Sequence, residues 1–148
     1  SPGRIYTFSL AATDSSGSTG YTEFAFETNA PPVGGYVVSD ILRMTSGEDK
    51  ALLQTAGWAD DFGDLPMAYE FGYAHGRLEV LSVSSELWVT MLSSGASYSS
   101  LLHTHLPPGT ESNGYNMTVV AYVSDVLGST AVTSLGADNE PLVLVSSP

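Results

Sequence analysis

The chain has 148 residues, which is about one domain's worth and enough to bury a sizeable core. Its 4 basic against 16 acidic residues give a net charge of −12, which disfavours binding to nucleic acid or to an anionic membrane surface. With 14% charged residues, 43% hydrophobic residues and no cysteine, the composition excludes a disordered acidic tail, a disulfide framework and a cysteine zinc site.

The first 30 residues have the pattern of a β-hairpin. Apolar residues alternate with polar ones from Tyr6 to Leu10 and again around Phe24 and Phe26. A Ser- and Gly-rich run at residues 14–20 separates the two segments and favours a turn. We therefore predict a hairpin with one apolar face.

A run of two prolines and two glycines at residues 29–35 is too strongly turn-forming for a central strand, so we predict a module boundary there. Beyond it the alternation predicts strands near 36–42, 50–56, 67–74, 77–83, 86–92, 98–105, 115–124 and 129–146, the last broken around Gly136. The pattern predicts an all-β chain with a fibronectin-III/immunoglobulin-like antiparallel sandwich.

An internal repeat bears on the domain organisation. The motif Asp-x-x-Gly-Ser-Thr begins at Asp14 and again 111 residues later at Asp125. Each copy follows a Pro-Gly pair and an alternating strand opened by Tyr, and the spacing matches a sandwich module of roughly 100 residues. We expect residues 1–30 to be the C-terminal hairpin of a preceding sandwich and residues 31–148 to be a following one. Since the chain begins at Ser1, we expect it to be a piece of a longer protein.

Five motifs then follow one another along the chain: Asn29-Ala30-Pro31-Pro32-Val33-Gly34-Gly35, Gly57-Trp58-Ala59-Asp60-Asp61, Leu65-Pro66-Met67-Ala68-Tyr69-Glu70-Phe71, Leu106-Pro107-Pro108-Gly109 and Val123-Ser124-Asp125-Val126-Leu127-Gly128-Ser129. Their order and spacing resemble the REJ (receptor for egg jelly) module of polycystin-type membrane proteins. The resemblance spans nearly the whole chain and implies stacked fibronectin-III-like sandwiches. Animal modules of this type often carry cysteines where this chain has Tyr36 and Ala56 or Gly57.

The resemblance implies a non-enzymatic structural or adhesion module, located extracellularly at a cell or ciliary surface. We expect its partners to be other protein modules or copies of itself, which would bind through strand edges and end loops. The sequence has no G-x-S-x-G elbow, Walker loop or H-E-x-x-H, so no enzyme is predicted. No apolar run approaches the roughly 20 residues of a membrane span, and we expect no direct membrane contact by this segment.

A cluster of acidic residues leaves a second function open. Asp60, Asp61 and Asp64 could supply carboxylate oxygens to Ca²⁺, completed by Asp138 or Glu140 if the last strand approaches the same end of the sandwich. A solvated turn is the alternative. A Ca²⁺ site would indicate a Ca²⁺-dependent ligand or glycan-binding module, and no other cofactor is expected.

The residues Asn116-Met117-Thr118 form an N-glycosylation sequon. Alternation along this strand predicts that Asn116, Thr118, Val120 and Tyr122 face outward, and that Tyr115, Met117, Val119, Ala121 and Val123 face the core. A glycan at Asn116 would suit a third possibility, a structural glycoprotein of an extracellular fibre such as a ciliary hair or a cell wall.

Two aromatic residues are expected to be structural. Trp58 precedes a strand at the position where an aromatic side chain usually fills the core of a sandwich, and Tyr115 has the place of a tyrosine corner. The orientation of Trp88 is left open by its apolar neighbours. His103 and His105 would share one strand face, but a zinc site needs at least one further ligand and is not expected.

Overall fold

The computed structural model describes residues 3–77, 89–135 and 143–148. The chain is all-β with antiparallel sheets, consistent with a β-sandwich, which confirms the predicted fold class. It divides into two compact units, Ser1–Ala30 and Pro31–Pro148. Most of the predicted strand at 77–83, Trp88, Gly136, Asp138 and Glu140 lie outside the described residues.

The first unit is a two-stranded antiparallel ribbon. Strand β1 (Ile5–Thr13) pairs with β2 (Thr19–Glu27) along their whole length. Its apolar face carries four rings, in which Tyr6 stacks on Phe26 with centroids 5.8 Å apart and Phe8 stacks on Phe24 at 5.4 Å. The side chains of both strands are exposed.

The ribbon turns at Asp14, whose Oδ1 accepts hydrogen bonds from the backbone N–H groups of Ser16 (2.8 Å) and Ser18 (3.0 Å). Gly17 has φ +85°, a left-handed conformation that favours glycine. The Ser16 hydroxyl and the Ser18 N–H, which both donate to the carboxylate, hold the pKa of Asp14 below its usual value. The sequence of the turn therefore dictates its geometry.

The second unit contains two sheets. Its strands, in chain order, are β3 (Tyr36–Ser39), β4 (Arg43–Thr45), β5 (Ala51–Ala56), β6 (Ala68–His75), β7 (Thr90–Met91), β8 (Leu101–Thr104), β9 (Asn116–Ser124), β10 (Thr130–Leu135) and β11 (Val143–Ser146). The smaller sheet has the order β3-β5-β8. The larger sheet has the order β4-β11-β9-β6-β7, and β10 also pairs with β9. Strands β4 and β11 are parallel, and the other pairs are antiparallel.

The core combines side chains from both sheets. Its buried members are Val37, Met44, Ala51, Leu53, Phe71, Leu106, Met117, Val119, Ala121, Leu135, Val143 and Val145. On β5, Ala51 and Leu53 are buried while Gln54 is exposed, as period-two alternation requires. Burying a side chain as large as Phe71 contributes about 1.5–3 kcal/mol, so this layer is the main source of stability in the unit.

Two expectations need correction. The segment predicted as one strand at 36–42 ends at Ser39, and the chain then joins the other sheet as β4, which alternation did not indicate. Thr118, Val120 and Tyr122 on β9 are buried although they were expected to face outward. Val89 covers part of this outer face of β6 and β9. It packs against Gly72 of β6, which pairs with Val120, so closely that a Cβ on Gly72 would lie 2.5 Å from Cγ1 of Val89. No helix within the described residues is long and apolar enough to cross a membrane.

Candidate functional site

The pairing of β6 with β9 brings two acidic loops together. Ala68, the first residue of β6, lies opposite Ser124, the last residue of β9. Because the strands are antiparallel, the loop that precedes β6 and the turn that follows β9 lie at the same end of the sheet. The backbone N–H of Val126 donates to the carbonyl oxygen of Asp64 at 3.2 Å, which ties the two loops together.

Three carboxylates converge at this end of the sheet. One carboxylate oxygen from each of Asp60, Asp64 and Asp125 lies within 4.8 Å of the other two. Asp60 and Asp64 are partly buried and Asp125 is only 5% exposed. Asp61 is exposed and lies outside this trio, so the structure replaces one member of the predicted set by Asp125. We call Asp60, Asp64 and Asp125 the acidic cluster.

The turns fix two of these carboxylates in place. Oδ1 of Asp125 accepts hydrogen bonds from the backbone N–H groups of Leu127 (2.8 Å) and Ser129 (2.9 Å). Oδ1 of Asp60 accepts one from the N–H of Asp61 at 2.9 Å. Oδ2 of Asp60 is buried and has no hydrogen-bond partner in the described part of the chain. A buried oxygen left without a partner is costly unless a cation or water satisfies it.

The electrostatics of the acidic cluster are unfavourable without a counter-charge. Burial raises the pKa of Asp64, and the negative charges of Asp60, Asp125 and Asp61 raise it further. A hard divalent cation would relieve this repulsion, since Ca²⁺ prefers carboxylate and carbonyl oxygens held by loops. The acidic cluster therefore has the chemistry of a cation site.

The histidines do not form a comparable group. His103 lies on β8 and His105 follows that strand, and both side chains are exposed. Nδ1 of His105 lies 2.9 Å from the carbonyl oxygen of Asp49. Within residues 3–77, 89–135 and 143–148, the acidic cluster is the one set of three or more His, Cys, Asp or Glu close enough to share a metal.

Comparison with protein families gives one match: the sequence model of the REJ domain covers residues 1–144, essentially the whole chain. The chain belongs to the REJ domain family. The family assigns this chain to the structural modules of polycystin-like proteins. Comparisons with curated proteins and with solved structures find no match.

Tyr36 and Ala56 lie directly opposite each other on β3 and β5. Gly57 adjoins this pair: a Cβ added to it would lie 3.0 Å from the Tyr36 ring. In this cysteine-free chain, β3 and β5 are held together by backbone pairing and by the contact of the Tyr36 ring with Gly57.

Trp58 lies at the margin of the REJ domain's core. It is partly buried, and its indole N–H donates to Oγ1 of Thr55 at 2.7 Å. Its ring packs so closely on the backbone of Gly35 that a Cβ there would lie 2.0 Å from it. Trp58 is not a member of the buried core cluster, which is formed by aliphatic residues and Phe71.

Tyr115 does not pack in the core, contrary to the prediction from alternation along its strand. Its side chain is 38% exposed and its backbone has φ +60°. With this positive φ, Tyr115 turns the chain just before β9 begins, so it lies outside the strand whose residues 117–123 are buried. The backbone makes the attachment instead, since the Tyr115 N–H donates to the Thr110 carbonyl oxygen at 2.9 Å and its own carbonyl accepts from Val145 at 3.0 Å.

The structure places the glycosylation sequon at the start of β9. Asn116 is partly buried, and its Nδ2 donates to the carbonyl oxygen of Asn113 at 2.7 Å. Thr118 is fully buried and its hydroxyl donates to the carbonyl oxygen of Gly76 at 2.7 Å. A glycan on Asn116 would replace one of the two Nδ2 hydrogens and leave the other to donate to Asn113.

Proposed function

We propose that this REJ domain is a non-enzymatic structural and adhesion module in the extracellular part of a large polycystin-like surface protein, at the cell or ciliary surface. It acts there as a spacer or a protein-interaction unit. Family membership supports the assignment to a polycystin-like protein. The observation that carries the interaction role is the exposed aromatic face of the β1–β2 ribbon.

That face is an interaction surface by its composition. Phe8 and Phe24 are 50% and 63% exposed, and Leu10 is 69% exposed. Two-stranded ribbons are marginally stable in water, so such a face needs a covering layer. In the described part of the chain, the ribbon pairs with no third strand, and both its edges can add one.

Surface labelling of the parent protein tests this proposal. An epitope inserted in the turn at Ser15 should be labelled by antibody on intact cells, without permeabilisation. A tag on a cytoplasmic segment of the same protein serves as the control and should be labelled only after permeabilisation. Labelling of the Ser15 tag only in permeabilised cells would overturn the extracellular assignment.

We also propose a second candidate function, Ca²⁺-dependent ligand or glycan binding at the acidic cluster. It is favoured by the convergence of three carboxylate oxygens within 4.8 Å and by the buried Oδ2 of Asp60, which has no hydrogen-bond partner among the described residues. Because Ca²⁺ takes 6–8 oxygen ligands, three carboxylates leave positions for water or for the hydroxyls of a ligand.

Thermal unfolding with Ca²⁺ or with a chelator tests this candidate. Ca²⁺ should raise the unfolding midpoint by several degrees, since it binds only the folded arrangement. The shift should disappear in Asp60→Asn and persist in Asp61→Asn, which changes the same charge outside the acidic cluster. The candidate fails if Ca²⁺ gives no shift, or if both variants lose it equally.

A further inference from the structure

The β1–β2 ribbon has the same turn as the β9–β10 hairpin. In both turns the aspartate Oδ1 accepts from the backbone N–H groups two and four residues later: 2.8 and 3.0 Å at Asp14, and 2.8 and 2.9 Å at Asp125. The glycines of the two turns, Gly17 and Gly128, have φ +85° and +87°. The flanking hydroxyl pairs also match, at 2.8 Å beside Asp14 and 2.7 Å beside Asp125. The two turns are structural equivalents.

Aligning the turns sets a residue-by-residue correspondence along the strands. Tyr6, Phe8, Leu10 and Phe24 correspond respectively to Met117, Val119, Ala121 and Leu135. All four residues of the β9–β10 hairpin belong to the buried core of the second unit, where the sheet β3-β5-β8 supplies the opposing side chains. The exposed face of the ribbon is therefore made of the positions that a partner sheet covers in the second unit.

The size of the face decides between two kinds of partner. The exposed fractions of the residues on this face are 39% for Tyr6, 50% for Phe8, 69% for Leu10, 63% for Phe24 and 44% for Phe26. With about 200 Å² for a fully exposed side chain, the exposed apolar area is about 500 Å². A stable interface between separate proteins buries about 800 Å² on each partner. The face is too small to hold two free copies together, but large enough for a partner in the same polypeptide, which loses less entropy on docking.

We propose that the apolar face of the β1–β2 ribbon is covered by a sheet of the β3-β5-β8 type that precedes Ser1 in the same polypeptide. This inference rests on the proposed structural function and names the partner of its interaction surface. The ribbon then closes an upstream sandwich, and residues 31–148 follow it as the next module. Consecutive modules are thus joined directly through residues 28–35.

Thiol reactivity tests the proposal, because the chain has no native cysteine. Phe8→Cys and Ser15→Cys are compared in the 148-residue chain and in a chain extended upstream by about 80 residues, which would complete a sandwich. Ser15 corresponds to Val126, which is exposed in the second unit, so it is the matched control. Any cysteine in the added segment is replaced by serine.

Extension should slow labelling of Phe8→Cys by about 100-fold, because reaction then requires local opening, and should leave Ser15→Cys unchanged. Binding of an apolar fluorescent dye to the two unmodified chains provides a second measurement that needs no substitution at Phe8, and it should fall on extension.

Three results would overturn the proposal. Phe8→Cys could react equally fast in both chains. It could be protected in the 148-residue chain at low concentration, which would mean that residues 31–148 cover the face, or only at high concentration, which would mean that a second copy does. The surface-labelling test of the proposed function is independent of these results, so the two claims fail separately.

Discussion

Replacing Asp125 by Ala removes the acceptor that closes the β9–β10 turn. Its Oδ1 takes two backbone hydrogen bonds, from Leu127 and Ser129, and the residue is only 5% exposed. A hydrogen bond to a charged group contributes about 1.5–3 kcal/mol, and two bonds that share one oxygen contribute less than twice that amount. Removing the repulsion between Asp125 and Asp64 offsets part of the loss. We expect a net loss of about 2–3 kcal/mol.

The assay is thermal unfolding in chelator, which separates the hydrogen bonds from any bound cation. In a unit of this size, the expected loss lowers the unfolding midpoint by roughly 8–12 °C. Asp14→Ala is the matched control, because it removes the same two hydrogen bonds from the equivalent turn of the ribbon, which lies outside the compact unit Pro31–Pro148. It should leave the midpoint of that unit unchanged.

Unfolding of Asp125→Ala at the midpoint of the unmodified chain would contradict this prediction. So would an equal lowering of that midpoint by the two substitutions. The second result would mean that the ribbon and the following unit unfold together, and that the carboxylate at Asp125 contributes no more than an exposed one.

Three further substitutions test other parts of the account. The pKa of Asp64 is raised in the folded chain, so this carboxyl takes up a proton on folding and its contribution to the free energy of unfolding falls as pH rises through the raised pKa. Asp64→Asn should remove this contribution and raise the unfolding midpoint at neutral pH in chelator. Phe71→Ala should cost about 3–5 kcal/mol in denaturant unfolding, whereas Phe62→Ala, at a site 94% exposed, should be nearly neutral. Gly35→Ala should displace the Trp58 ring and lower the midpoint, with a shift in tryptophan emission as the readout; unchanged emission would count against this packing.

Alternation of apolar and polar residues was sufficient to predict most strands of the fold. The predicted segments 50–56, 67–74 and 115–124 correspond to β5, β6 and β9 within a residue or two at each end. The short strand β4 was missed because three residues cannot display a period of two, and its pairing with β11 joins segments about 100 residues apart. Sequence pattern carries no information on such distant pairing.

Only two of the three residues of the acidic cluster could be predicted, for the same reason. Asp60 and Asp64 attract attention because they lie close together in the sequence, whereas Asp125 is recognisable from the sequence only as the first residue of a turn. Its place beside Asp64 follows from the antiparallel pairing of β6 with β9. Tyr115 shows the opposite failure: alternation assigned it to the core, but a positive φ takes it out of the strand.

The most direct test of the account is an experimental structure of the parent protein over these 148 residues and about 100 residues before them. We predict that Tyr6, Phe8 and Phe24 are buried against a preceding three-stranded sheet, with the turn at Asp14 at the end of that sandwich. This prediction is contradicted if these side chains remain in solvent, or if their only covering is residues 31–148.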